Sequence, residues 1–226
     1  MTVTTLTVCS VPAGTALLPA ADPELVEAFA YSLTAAQIAA RAVDPDPSST
    51  AYFEAMAMGM LRCGWIRLMA PAFVHVAQTE PVAPIDVLAQ AMAQFQQHTG
   101  PDAPPAWQDL LAWLPGLRRA AVHQQPRAAA AVAPGSSGMT IGPLLRWRGA
   151  PWLMAAHVAL SAPVTDWPAL FEPVAGLALT VHPLCLQLDL PRYGALAPAL
   201  KLRLASTLAD QVRQTTLQLD DLQVHA

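Results

Sequence analysis

Cys185 and His182 are the side chains in this sequence best suited to covalent chemistry. A thiolate is a strong nucleophile, and an imidazole close in the chain is a base that could generate it. Their spacing works against the pairing. Both fall in Leu177–Leu190, whose second half alternates, with Leu184, Leu186, Leu188 and Leu190 on one side and Cys185, Gln187 and Asp189 on the other. That period of two predicts a β-strand with one buried face. Residues three apart on a strand face opposite sides, and Pro183 marks a bulge or a break between two short strands. Three readings of Cys185 stand side by side. It is a nucleophile served by His182 or His157, or a small buried hydrophobe, as free cysteine usually is. Or it is an acylation site, where a thiol facing an apolar cavity holds a fatty chain whose burial gains about 0.8 kcal/mol per CH₂.

Other chemistry is faint. The six histidines (His75, His98, His123, His157, His182 and His225) never fall at metal-ligand spacing. His75 and His157 lie within apolar strand patterns and read as hydrogen-bonded core residues. No nucleophile elbow, P-loop or dinucleotide fingerprint occurs, and Gly135-Ser136-Ser137-Gly138 has the composition of a linker. Three cysteines without CxxC spacing suggest reduced thiols rather than a disulfide framework or a zinc site. Methionines 56, 58, 60, 69, 92, 139 and 154 are spread over helix and strand patterns. Such side chains either fill a core or line a site for a floppy apolar ligand.

The elements that would position these residues read as follows. Met1–Thr15 is an extended arm or edge strand. Asp22-Pro23-Glu24 starts a helix that runs to about Val43, with Val26, Phe29, Leu33 and Ile38 on its apolar face. Ser48 or Ser49 caps a second helix to about Arg62, buried through Tyr52, Phe53, Met56, Met60 and Leu61 and closed by Gly64 in a left-handed cap. Trp65–Ala77 is a strand divided or bulged at Pro71. Pro84–Gln97 and Pro104–Val122 are helical, the latter interrupted at Leu114-Pro115-Gly116. Ala128–Gly138 reads as a flexible connection. Ile141–Arg148 and Trp152–Leu160 form a hairpin around Arg148-Gly149-Ala150-Pro151. A final helix spans about Ala197–Arg213, buried through Leu200, Leu204, Leu208 and Val212. The expectation is a single α+β domain over 1–226, with an antiparallel or mixed sheet covered by about five helices. It is helix-rich over 1–127 and strand-rich over 139–190.

Composition narrows the function classes. Hydrophobic residues make up 54% of the 226 and charged residues 12%, about half the usual charged share. Mean hydropathy is +0.36. That apolar excess needs a large core, a ligand cavity, a membrane surface or a partner. The net charge of −4 with scattered basic residues lacks the electrostatic footprint of a nucleic-acid binder. No basic residue precedes Arg41, so no secretory signal is read, and no run resembles a spanning helix. The chain is expected to be made in the cytosol and to leave the cell, if it does, without a conventional signal.

Two stretches together resemble a known family. Tyr52-Phe53-Glu54-Ala55-Met56-Ala57-Met58-Gly59-Met60-Leu61-Arg62-Cys63-Gly64-Trp65 is a helix ending in a Gly-Trp pair that feeds a strand. Leu188-Asp189-Leu190-Pro191-Arg192-Tyr193 leads into the final helix, which contains Arg203. In order and spacing they are similar to the bacterial virulence factor Evf and its relatives, over about residues 50–213. The resemblance implies an α/β fold, a fatty acyl group (palmitate) buried as a cysteine thioester, and action at host gut surfaces without a known enzymatic activity. Cys185 is the residue that would correspond. Independently, strand parity and the surplus of apolar helix surface predict that Cys185 faces the interior among side chains of the second and final helices, with Met56, Met60, Leu200 and Leu204 lining a cavity there. The expected function is that of a non-enzymatic, lipid-binding, toxin-like protein whose partner is a lipid or membrane surface. A hydrophobic subunit of a larger assembly and a Cys-dependent acyltransferase or hydrolase are the alternatives.

Overall fold

The computed structural model describes residues 5–11, 14–20, 22–68, 74–97, 104, 112–113, 115–118, 131–133, 136–161, 168–209 and 211–218. The fold is α+β, built on one mixed, open sheet. Its strands are β1 (Thr5–Val11), β2 (Gly14–Leu18), β3 (Trp65–Arg67), β4 (Val74–Ala77), β5 (Ala131–Ala133), β6 (Ser136–Trp147), β7 (Ala150–Leu160), β8 (Ala178–Leu188) and β9 (Arg213–Gln218). The helices are α1 (Pro23–Val43), α2 (Thr50–Arg62), α3 (Pro84–Gln97), α4 (described helical positions 112–113 and 115–118) and α5 (Leu190–Leu208).

The strands run in the order β3-β8-β7-β6-β2-β1-β9. β3 and β4 share the outer edge of β8, and β5 lies beside the start of β6. β2 and β6 pair in parallel, while the other described pairs are antiparallel. The β6–β7 turn has two central residues of positive φ, Arg148 at 50° and Gly149 at 82°, the conformation that matches the twist of a two-residue hairpin.

Both sheet faces are covered. One core joins α1, α2 and Tyr193 of α5 to Leu144, Leu153, Ala155, Leu184, Leu186 and Leu188. The other joins α3 and α4 to Met139, Ile141, Trp152, Met154, Val181 and Cys185. On the first side α1 and α2 cross closely: a Cβ on Gly59 would come within 2.6 Å of the Ala36 Cα.

Helix starts follow the sequence signals. Asp22 and Ser49 cap α1 and α2 by accepting from Leu25 N and Tyr52 N, and Gly64 (φ 95°) ends α2. The final helix differs from the expected 197–213. It begins at Leu190, because Asp189 accepts from Arg192 N and Pro191 occupies the first turn, the same start signal as Asp22-Pro23. Pro198 lies inside α5 rather than at its start, and 213–218 is β9.

Pro183 makes no break. β8 is continuous, and Pro183 falls between the stretches of its outer edge paired with β4 (178–181) and β3 (186–188), where a missing N–H costs no ladder bond to either. Within the expected flexible connection, Ala131–Ala133 and Ser136–Gly138 are paired strands. Pro115 and Gly116 are helical rather than an interruption. β1 is flanked by β2 and β9, so the N-terminal strand is internal. Ile38 of α1 is exposed. Pro71, Trp167, 99–101 and 219–226 lie outside the described residues.

Candidate functional site

Cys185 sits in the middle of the α3-side layer. On β8, Leu179, Val181 and Cys185 point toward α3, while Leu184, Leu186 and Leu188 point toward α1 and α2. Both faces carry apolar residues because both are covered, as in a sheet between two helical layers. Cys185 is buried, and its cross-strand partner on β7 is Met154, whose Sδ is 3.4 Å from the Cys185 Sγ. On the outer side Leu68, half exposed at the end of β3, donates its N–H to the Cys185 carbonyl at 3.1 Å. The thiol is therefore one strand in from the sheet edge. Burial pushes it up to about 11, so it is a neutral thiol at neutral pH.

The same layer holds three methionines from three elements, Met92 (α3), Met139 (β6) and Met154 (β7), together with Trp113, Trp152 and Phe171. Trp152 lies on the face of Met154, two residues earlier on β7, diagonally across from Cys185. Its indole Nε1–H is buried and has no hydrogen-bond partner among the described residues; the same holds for Trp147. A buried donor without an acceptor is uncommon in native structures.

The opposite face carries a polar row. Thr140, His157 and His182 are direct cross-strand neighbours on β6, β7 and β8, all beneath α2. The Nε2 of His157 lies 2.7 Å from the Pro47 carbonyl, which can only accept, so Nε2 carries the proton. Its Nδ1 then accepts from the Thr140 hydroxyl at 3.2 Å. Tyr52 and Phe53 of α2 stack on His157 at centroid distances of 5.6 and 6.0 Å, and Phe53 stacks on His182 at 4.3 Å. Burial lowers the His157 pKa to about 4, with the neighbouring His182 acting in the same direction. His182 is lowered too, chiefly by burial.

The expected site residues are thus divided. Cys185 is buried, but its neighbours are Met154 and the α3 layer. Met56 and Met60 belong to α2 on the far face, and Leu200 and Leu204 lie on α5, which packs on α1. Strand parity produces the division: facing α2 belongs to the even positions of β8, and Cys185 is odd. His157 and His182 lie across the sheet from Cys185, so neither of these two pairs with it. His157 is a hydrogen-bonded core histidine, whereas His75 is exposed and contacts the Thr180 hydroxyl at 3.1 Å. Trp152 was legible only as a strand residue of a hairpin, and Met154 also as one of the methionines able to line an apolar site. Their place beside Cys185 depends on the β7–β8 register. Among the described residues no group of three or more His, Cys, Asp or Glu could hold a metal ion. No described helix is long and apolar enough to cross a membrane. The chain matches no protein-family model, and no curated protein matches it.

Proposed function

We propose that the protein is a non-enzymatic, fatty-acyl-bearing protein that acts at lipid surfaces, with the acyl group held as a thioester on Cys185. The supporting observation is the surroundings of the thiol: a neutral, buried Sγ in a methionine-lined layer, one strand from the sheet edge, with the unpartnered Trp152 indole N–H diagonal to it. A thioester is uncharged and apolar, so the burial that disfavours a thiolate does not disfavour it. Flexible methionine side chains can give way to an alkyl chain where branched residues would not. The Trp152 N–H, on the same face and diagonal to Cys185, would be the donor for the thioester carbonyl. The resemblance to the Evf family points the same way. The lining differs from that read in the sequence: Met92, Met139 and Met154 take the role expected of Met56, Met60, Leu200 and Leu204.

Intact-mass spectrometry of the protein as isolated from its own cells tests this reading. The expected result is an added fatty acyl mass that neutral hydroxylamine removes and that Cys185→Ser lacks. Vesicle flotation should be weaker after hydroxylamine. An unmodified mass and no extractable fatty acid would overturn the proposal.

A further inference from the structure

The polar row beneath α2 has no part in the acyl site, since the sheet separates the two. Two imidazoles face each other on adjacent strands at a centroid distance of 6.5 Å, both roofed by aromatic rings of one helix. The helix is tied down at its start. His157 Nε2–H donates to the carbonyl of Pro47, two residues before the α2 cap Ser49. The Met56 Sδ of α2 stands 3.5 Å from the same Thr140 oxygen, in contact with it while the hydroxyl proton goes to His157.

We propose that the His157–His182 pair is an acid-operated latch: neutral imidazoles hold α2 on the sheet, and their protonation releases it and uncovers the leucine face of β7 and β8. From α2, Tyr52 and Phe53 offer aromatic faces, and Glu54, exposed on the next position, favours a charged His182, an effect that burial outweighs. From β6 the contact is the neutral Thr140 hydroxyl. From the α1–α2 turn, Asp44 and Asp46 accept from backbone N–H groups of the turn itself. From β3, Arg67 lies 6.0 Å from the Phe53 ring and adds positive charge. From β4, His75 pairs with Thr180, two residues from His182 on the same face. The Pro47 carbonyl favours a His157 cation, but burial and the second imidazole outweigh it. Protonation of the closed state is therefore resisted, and an open state that hydrates both rings takes up the protons instead.

Hydrogen exchange read by mass spectrometry on the full chain, between about pH 7.5 and about pH 5, tests the latch. After correction for intrinsic rates, the opening constant of α2 should be flat above about pH 6.5 and rise toward tenfold per pH unit below it for each imidazole that is charged only when α2 is open. Peptides from α3 should change far less. His182→Phe keeps the stacking on Phe53 and should reduce the pH response of α2, and an apolar dye should report less acid-induced binding to this variant. Parallel loss of protection in α2 and α3, or an unchanged response in His182→Phe, would overturn the latch. If that variant does not fold, histidine NMR titration of the wild-type chain decides. Two imidazoles titrating independently near the ordinary value of about 6.5 refute it; depressed, coupled titrations accompanied by exchange broadening of α2 support it.

Discussion

The layer beneath α1 and α2 and the layer beneath α3 are both apolar, yet they carry different polar groups. The first has a close helix crossing at Gly59 and Ala36 beside Met56, Met60 and large rings, and it carries the polar row Thr140–His157–His182. The second includes Met92, Met139 and Met154 with large aromatic rings, and it carries the Cys185 thiol and buried indole N–H groups. A close backbone crossing tolerates little change of volume, whereas methionine adapts. One sheet thus separates the imidazole row, beneath a close helix crossing, from the Cys185 thiol. It also keeps His157 and His182 away from the Cys185 thiol.

The contrast predicts unequal tolerance. At Gly59 even a Cβ would meet the Ala36 backbone at 2.6 Å, so Gly59→Val has to push α1 and α2 apart. Its expected cost is about 3 kcal/mol or more, at the upper end for overpacking. Met92→Leu in the other layer conserves volume and should cost less than about 1.5 kcal/mol. Urea unfolding of both variants at neutral pH measures the difference. Similar losses in the two would abolish the distinction between the layers.

A second difference lies in pH dependence. The folded-state pKa of His157 is lowered to about 4 from an ordinary 6.5. A histidine depressed on folding stays neutral while the unfolded chain takes up its proton. Its contribution is therefore complete above about pH 6.5, declines as pH falls toward about 4, and is constant below that. The window corresponds to a loss on the order of 3 kcal/mol for this group, and His182 adds in the same direction. Urea midpoints measured across this range should fall with acid, and His157→Gln should flatten the curve. A stability that rises on acidification through this range would contradict the burial of neutral imidazoles.

A smaller effect concerns the α2 cap. Ser49 Oγ accepts from Tyr52 N at 3.0 Å, and Tyr52 is one of the rings over His157. Ser49→Ala should cost about 1 kcal/mol. It should lower stability at every pH without changing the slope, because it removes a hydrogen bond and leaves the imidazoles in place. A changed slope would tie the cap to the titration itself.

Local signals carried most of the elements. Asp22-Pro23, Ser49 and Gly64 marked helix ends correctly, because caps and left-handed positions are set by the residues that occupy them. Asp189-Leu190-Pro191 carries the same start signal as α1, but Pro198 reads as a helix start too, and an exposed helix tolerates an internal proline more readily than a buried one. Ser136–Gly138 has linker composition and is nevertheless strand, since β5 and β7 supply the pairing. The β2–β6 parallel pairing joins residues far apart in the chain and left no local trace. The site shows the same limit. The burial of Cys185 followed from its apolar surroundings, but its neighbours followed from which helix covers which face. Parity put Cys185 opposite the leucines; it could not say that α2 covers the leucine side and α3 the other.

The smallest expected effect is an absence of reaction, and it separates a buried thiol from an acylated one. Cys9, Cys63 and Cys185 are all buried, and burial raises all three thiols, Cys9 to about 12 and Cys185 to about 11. Thiolate is the reacting species, so iodoacetamide at neutral pH should leave the native protein essentially unlabelled. Unfolding removes burial as a cause of protection. Any cysteine that still fails to react must then be chemically blocked. If the thioester is present, the unfolded chain should label at Cys9 and Cys63 alone, and at Cys185 only after hydroxylamine. If the thiol is free, all three should label at once on unfolding. Fast labelling of Cys185 in the native protein at neutral pH would contradict both outcomes. It would mean that the β3 edge beside Leu68 admits solvent to the sulfur, and an acyl chain would have no dry layer to occupy.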